Sequence, residues 1–467
     1  MVYPFHETAD DVQLEQPPWE VDSCAELDED LIDAATWSRS PGLWMVAFYL
    51  VLFIIRPWEV LMPWLGDLRF ERIYAITMIL VVAMTGRLWK WTWQCWTVSA
   101  FAATVVMSAV FAFQSSLSWE PLYRYLTVVV TYFLLMAVMK STSDVYLLIL
   151  AYIGAMWTYL GKSMWEFFVH NRHEYAQGVP RLLGTDLTFG EPNAVAMSTV
   201  VSLPLWYFLW RNRHTLFFEW NRTWRRLGMA LVVTYPVMAF VATLLTNSRA
   251  GMVGIGAFAV LAVVRNGSPI RWIRTSFIML ALLAAMWIFS PQQQKDRLRT
   301  LWDKSAGPYN AHESADGRWE GFVAAMQMFQ RFPATGVGVG NFVLYRRAFL
   351  DGDPRVAHNL PGQILGETGV LGGIAFTLMT LATWSICWKL QRSTVGEEDP
   401  IIVSYYDLSY AISNTILLML LFGLSLHNGL RFNWLWIAAF AVAAQQQIDR
   451  RLAMITSDVM DDWDSEY

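Results

Sequence analysis

Residues 228–265 read GMALVVTYPVMAFVATLLTNSRAGMVGIGAFAVLAVVR. Two uncharged apolar runs, near 228–246 and 250–264, flank a very short connection, Asn247-Ser248-Arg249-Ala250-Gly251. A helix needs about 20 mainly apolar residues to cross the hydrocarbon core of a bilayer. An arginine held near membrane depth is costly and is by default a functional candidate. The plainer alternative is that Arg249 sits at a helix end and snorkels to the interface.

The same pattern recurs along nearly the whole chain. Apolar runs bounded by charge or by Pro and Gly fall near 42–56, 72–86, 96–113, 121–139, 145–165, 192–210, 228–246, 250–264, 274–290, 361–388, 405–425 and 432–448. The first is short, and 57–65 reads as interfacial. Apolar residues make up 55% of the 467 and charged ones 16%, too little charge for a soluble domain of this length. Trp89, Trp91, Trp93, Trp96, Trp206 and Trp210 suit an aromatic belt at the headgroup level. The expectation is an all-α integral membrane protein of about 12 transmembrane helices, with the lipid bilayer as its main partner and no nucleic-acid partner.

Loop charge sets the orientation. Arg87 and Lys90, Lys140, the Arg211–Arg226 group, Arg265 with Arg271, and Lys389 with Arg392 fall on one side, whereas 114–120 carries no cation. Both termini are therefore expected in the cytoplasm. Residues 1–41 read as an acidic cytoplasmic tail in which Arg39 is the one Lys or Arg, unlike the basic start of a cleavable signal peptide. Residues 449–467 read as a second acidic tail, and both are expected to be solvated and partly disordered. Between them lie nine spans over 42–290, a long external loop over 291–360, and three spans over 361–448. Cys24, Cys95 and Cys387 lack paired spacing, so neither a disulfide framework nor a metal site is expected.

The long external loop is far beyond an ordinary connection, and such loops are usually functional or disordered. Within it Trp319, Phe322, Val323, Met326 and Phe329 recur at helical spacing. That stripe suits an amphipathic helix on the outer membrane face or a helix capping the bundle; the two readings are compatible. Gly317-Arg318-Trp319 opens this helix. Further on come the glycine-rich turn 336–342 (GVGVGNF), then His358-Asn359-Leu360-Pro361, with Gly366-Glu367-Thr368-Gly369 and Gly372-Gly373 behind. Pro361 suits a first helical turn and places His358 and Asn359 at a helix N-terminus. A lone histidine there is more often a cap or surface group than a catalyst. Asp351-Gly352-Asp353 before Pro354 reads better as a turn than as a metal site.

Taken in order, the short SRxG-type connection, the long loop with its GR-led helix, the glycine-rich turn and HNxxxxxLxExGxxG resemble the O-antigen ligase and polymerase family. The run 183–194 (LGTDLTFGEPNA) is similar to that family's external GTFxDPN-type segment, with Glu191 where Asp is frequent. The resemblance covers about 45–445 and leaves the N-terminal tail outside. It implies a GT-C-like helical membrane fold in a bacterial inner membrane, with the active site on the periplasmic side and no metal or other cofactor. The implied donor is a glycan on a polyprenyl diphosphate. The acceptor would be a sugar hydroxyl of lipid A core or another glycan, or a protein hydroxyl. The implied catalytic groups are Arg249 and Arg318 as diphosphate clamps and His358 as base, with direct displacement inverting the anomeric centre. Asn359, Glu367, Lys162 and Arg431 are candidate substrate contacts. Interface snorkelling for Lys162, helix packing for Glu367 and a plain polar turn for His427, Asn428 and Arg431 stand beside those roles. A polymerase is the close rival. A transporter or flippase for the lipid-linked glycan is the rival of another class, although no internal repeat of the kind transporters show is evident.

Overall fold

The computed structural model describes residues 40–60, 62–86, 90–176, 178–184, 189–218, 220–265, 292–299, 310–394 and 399–465, with scattered positions between 270 and 288. The acidic tail expected over 1–41 lies almost wholly outside these residues, and the span expected at 274–290 is described only at scattered positions. The chain is an all-α membrane protein. Its main helices are α1 (Pro41–Ile55), α2 (Phe70–Thr85), α3 (Trp93–Val110), α4 (Ser115–Val138), α5 (Thr142–Val169), α6 (Pro192–Arg211), α7 (Arg222–Leu245) and α8 (Arg249–Arg265). They are followed by α9 (Asn310–Arg331), α10 (Phe342–Phe349), α11 (Leu360–Ser393), α12 (Pro400–Gly423) and α13 (Phe432–Ser465). A two-stranded antiparallel hairpin, β1 (His173–Ala176) and β2 (Val179–Leu182), stands between α5 and α6.

Among the described residues eight helices are long and apolar enough to cross a membrane, and α8 is a shorter apolar helix. Residues 57–65 form two short helical turns, Pro57–Val60 and Pro63–Asp67. The helix α13 runs on through 449–465, where the sequence suggests a disordered tail.

The hydrophobic effect does not drive helices together in hydrocarbon, so close packing and interhelical polar pairs hold the contacts. Gln94 of α3 donates to Thr383 of α11 at 2.8 Å. Tyr146 of α5 meets Ser404 of α12 at 2.7 Å, and Arg211 of α6 pairs with Asp407 of α12 at 2.8 Å. Cys95 and Cys387 are buried and free.

The decisive irregularity is in α11. Gly369 adopts φ 66° and ψ −163° inside the helix and breaks it. Backbone groups freed at membrane depth must be satisfied by protein. Here the loop 333–341 supplies the partners. Val337 and Gly338 amides donate to the Gly366 and Glu367 carbonyls at 2.9 and 3.1 Å, and the Val370 amide donates to Pro333 at 2.8 Å. Ser108 of α3 donates to the Glu367 carbonyl at 2.7 Å and accepts from the Val339 amide at 2.9 Å. Ser118 of α4 donates to the Val339 carbonyl at 2.7 Å. The loop is thus bolted to α3, α4 and α11 together.

A Cβ on Gly369 would strike the Ala334 carbonyl, besides demanding a left-handed backbone. Gly352 is also left-handed, at φ +78°, but has open space around it. Gly352→Ala should therefore cost only the backbone strain, about 1–2 kcal/mol, whereas Gly369→Ala should cost clearly more. Thermal midpoints of the two purified variants in detergent check this; equal midpoints would show that the loop does not depend on the break.

Candidate functional site

Three separated segments converge at one end of the bundle. The first is the turn 246–248 leading into Arg249. Asn247 has φ 50° there, and its side-chain amide donates to the Pro180 carbonyl at 2.8 Å. Arg181 on β2 is buried; its Nε donates to the Thr246 carbonyl at 3.0 Å and its Nη2 to Asn193 Oδ1 at 2.9 Å. The hairpin therefore clamps the Arg249 turn to the N-terminus of α6. Burial weakens the charge of Arg181 most; Glu174 and Glu191 support it and Arg249 opposes it.

The second segment is α9. Its buried face is made of Gly317, Gly321, Ala324, Ala325 and Met328, while Trp319 is 68% exposed. Small residues let this face approach the chain at 355–359: a Cβ on Gly321 would meet the Ala357 carbonyl at 2.7 Å. Of the apolar stripe seen in the sequence, Trp319 and Val323 are exposed and Phe322, Met326 and Phe329 are half-buried, while the helix packs on the bundle through its small face. The Arg318 guanidinium has its pKa lowered by burial and then by Arg249, which identifies the two arginines as electrostatic neighbours.

The third segment carries His358, held at φ 52° just before α11. Such backbone strain in a residue other than glycine persists where the surroundings impose it, often at functional sites. Asn359 caps α11 by accepting from the Gly362 amide at 2.6 Å, and its own amide donates to Ala357 at 2.8 Å. Upstream, the fully buried Arg346 of α10 pairs with Asp351 at 2.6 Å and Asp353 at 3.0 Å. Arg355 bridges to Glu320 of α9 at 3.1 Å. The Asp351-Gly352-Asp353 run is an ion-pair clasp that fixes the path into His358; its arginine partners hold both carboxyls below the usual range. Among the described residues no three His, Cys, Asp or Glu side chains gather as a metal cage.

Electrostatics joins the three. Burial pushes the His358 imidazole below its ordinary 6.5; Glu191 opposes this, and Arg318, Arg355 and Arg346 reinforce it. His427 lies beside His358 with ring centroids 6.0 Å apart. Its imidazole is pushed down to about 3 by burial, with Arg431 and His358 contributing, and its Nδ1 has no hydrogen-bond partner among the described residues. Glu191 also supports the charge of Arg431 against burial. The turn 424–431 is held by Gln363, whose Oε1 accepts from the Gly429 amide at 2.9 Å, and by Asn428, which donates to the Met419 carbonyl at 2.8 Å. A cavity of ≈ 1100 Å³ adjoins the cluster, with Glu191, Gln363, His427 and Arg431 in its wall.

Of the residues singled out in the sequence, Arg249, Arg318, His358 and Arg431 share this electrostatic neighbourhood. Glu367 is buried in the loop lock, its Oε1 accepting from the Gly340 amide at 3.2 Å. Asn359 is committed to the helix cap and the approach of α9. Lys162 is half-buried on α5 and does not line the cavity. Thr185–Thr188 of the GTFxDPN-like run lie outside the described residues. The sequence reading missed Arg181, the Arg346 clasp and the charge role of Glu191. An arginine in a four-residue strand carries no local signal, but the position of Glu191 at an aspartate of the motif does mark it.

Residues 234–377 match the family model described as O-antigen ligase. That region begins in α7 and ends in α11, and it contains Arg249, Arg318, His358 and Glu367. No curated relative matches the chain. The motif order and this match agree: the chain is a membrane protein that is similar to the O-antigen ligase family over 234–377.

Proposed function

We propose that the chain is a glycosyltransferase that moves a glycan from a polyprenyl diphosphate to a sugar or protein hydroxyl, working at the periplasmic face of a bacterial inner membrane. The observation that carries this reading is the meeting of Arg249, Arg318 and His358 at one end of the bundle, from segments far apart in sequence. The loop charges favour the orientation, since the cluster lies at the end opposite Lys140 and the Arg211–Arg226 group.

The chemistry follows from the residue types. A diphosphate is already a good leaving group, so it needs charge neutralisation and no proton. Two guanidiniums can each offer paired donors to phosphate oxygens, and such prearranged charge is usually the largest catalytic contribution. His358, neutral near pH 7, takes the proton of the acceptor hydroxyl through a ring nitrogen. The acceptor oxygen forms the new bond to the anomeric carbon while the bond to the diphosphate oxygen breaks. The electron pair leaves with the polyprenyl diphosphate, which Arg249 and Arg318 retain. Attack from the opposite face inverts the anomeric configuration. Glu191 steadies the imidazolium that forms.

Each of Arg249→Ala, Arg318→Ala and His358→Ala should lower kcat by about 10²–10³ in purified, monodisperse protein supplied with a polyprenyl-diphosphate glycan and an acceptor, with EDTA present. Normal transfer by all three variants, or glycan-lipid movement between proteoliposome leaflets without transfer, would defeat the reading.

The pH profile is a second check. His358 must be unprotonated, and its pKa is depressed below 6.5, so the rate should be level near pH 7 and fall only on acidification below that depressed value. Glu191 is a carboxylate that raises the His358 pKa, so Glu191→Gln should move the acidic limb to lower pH. A limb that stays in place would remove Glu191 from the histidine's surroundings.

A further inference from the structure

Besides Glu191, His427 and Arg431, the ≈ 1100 Å³ cavity has a further part of its wall that the transfer chemistry does not use. It is built from the ends of α1, α2 and α4: Arg56, Arg72, Trp119, Glu120, Tyr123 and Arg124. Its charges are largely paired already. Arg56 bridges Glu59 and lies 3.7 Å from Glu71, and Arg124 bridges Glu120 one helical turn away. The Arg72 guanidinium sits over the Tyr123 ring, 5.9 Å from its centroid. Trp119 and Tyr123 are 60% and 58% exposed.

This lining discriminates among ligands. A prenyl or acyl chain would meet a wall of ion pairs and lose their hydration for nothing. A diphosphate would find two of the three arginines, Arg56 and Arg124, already matched by carboxylates. A polyhydroxylated ring fits best, because it needs fixed donors and acceptors together and it stacks its C–H face on aromatic rings. The His427 Nδ1, buried and without a hydrogen-bond partner among the described residues, belongs to another residue of the same cavity lining. Pockets for single small molecules run about 300–1,000 Å³, so this volume suits more than one sugar ring.

We propose that the α1–α2–α4 wall is an oligosaccharide subsite that holds the sugar chain of one glycosyl substrate while its reacting end lies at His358. The proposal rests on the transferase reading and adds the part of the substrate that the site grips. The sugar chain can come from the donor or from the acceptor, and the experiment separates the two.

The test uses full-length protein in nanodiscs and two probes: oligosaccharide freed by mild acid from polyprenyl diphosphate carriers, and oligosaccharide freed from lipid A. Saturation-transfer NMR and calorimetry are run on wild type, Trp119→Ala/Tyr123→Ala and Trp119→Phe/Tyr123→Phe, alongside steady-state transfer kinetics. One probe should bind wild type, weaken by roughly tenfold in the alanine pair, and recover in the phenylalanine pair. The KM for the matching substrate should rise in parallel, with kcat and the other KM unchanged. Binding of the lipid A probe assigns the wall to the acceptor, and binding of the carrier-derived probe assigns it to the donor. Failure of both probes to bind wild type, or equal binding by the alanine pair, overturns the subsite. Probe binding that depends on Trp119 and Tyr123 in a protein that transfers nothing would overturn the transferase reading and leave the subsite standing.

Discussion

Hydrocarbon offers no partner to a freed backbone group, and the break of α11 at Gly369 is where this protein meets that demand most sharply. The loop 333–341 answers it with its own amides, and Ser108, Ser118 and Glu367 complete the lock. Everything C-terminal of the lock is thereby placed. The helix α10 follows directly, its Arg346 gathers Asp351 and Asp353, and the chain reaches His358 with a left-handed backbone. A residue in a loop of this length would ordinarily wander; here it is tied to the membrane bundle at one end and to the α11 cap at the other.

The second constraint is electrostatic. Burial disfavours the charge of Arg318 and of Arg181 most, and Arg249 lies close enough to both to disfavour it further. Such an arrangement contributes little to stability and is held by hydrogen bonds whose job is geometric, such as Arg181 to Thr246 and Asn193. Glu191 is a carboxylate among these cations, supporting Arg181, Arg431 and the protonated form of His358. An anion with several oxygens would complement the charge of these arginines.

Much of this was legible in the sequence because membrane helices announce themselves through length and apolarity, and because Arg249 interrupts such a run where charge is costly. The amphipathic helix and the His358-Asn359 helix start were visible through spacing and Pro361, but the helix begins at Asn310, so Gly317-Arg318 lies inside it and does not open it. Other features depend on contacts that no local pattern encodes. The Trp319 stripe marks the helix but not its packing face, since α9 packs through Gly321, Ala324 and Ala325, whose small size is a tertiary requirement. Glu367 reads in the sequence as either a helix-packing group or a substrate contact, and only the fold shows its carbonyl and side chain entering the loop lock. Arg181 gains its meaning only when the hairpin folds back against the 246–248 turn.

The most direct measurement is a structure of the protein in nanodiscs with a phosphonate analogue of a polyprenyl-diphosphate glycan that cannot release its sugar. The account predicts the diphosphate oxygens within hydrogen-bond distance of both the Arg249 and the Arg318 guanidiniums, with the anomeric carbon facing His358. Density for the diphosphate at the opposite end of the bundle, or near the membrane midplane away from both arginines, would contradict it.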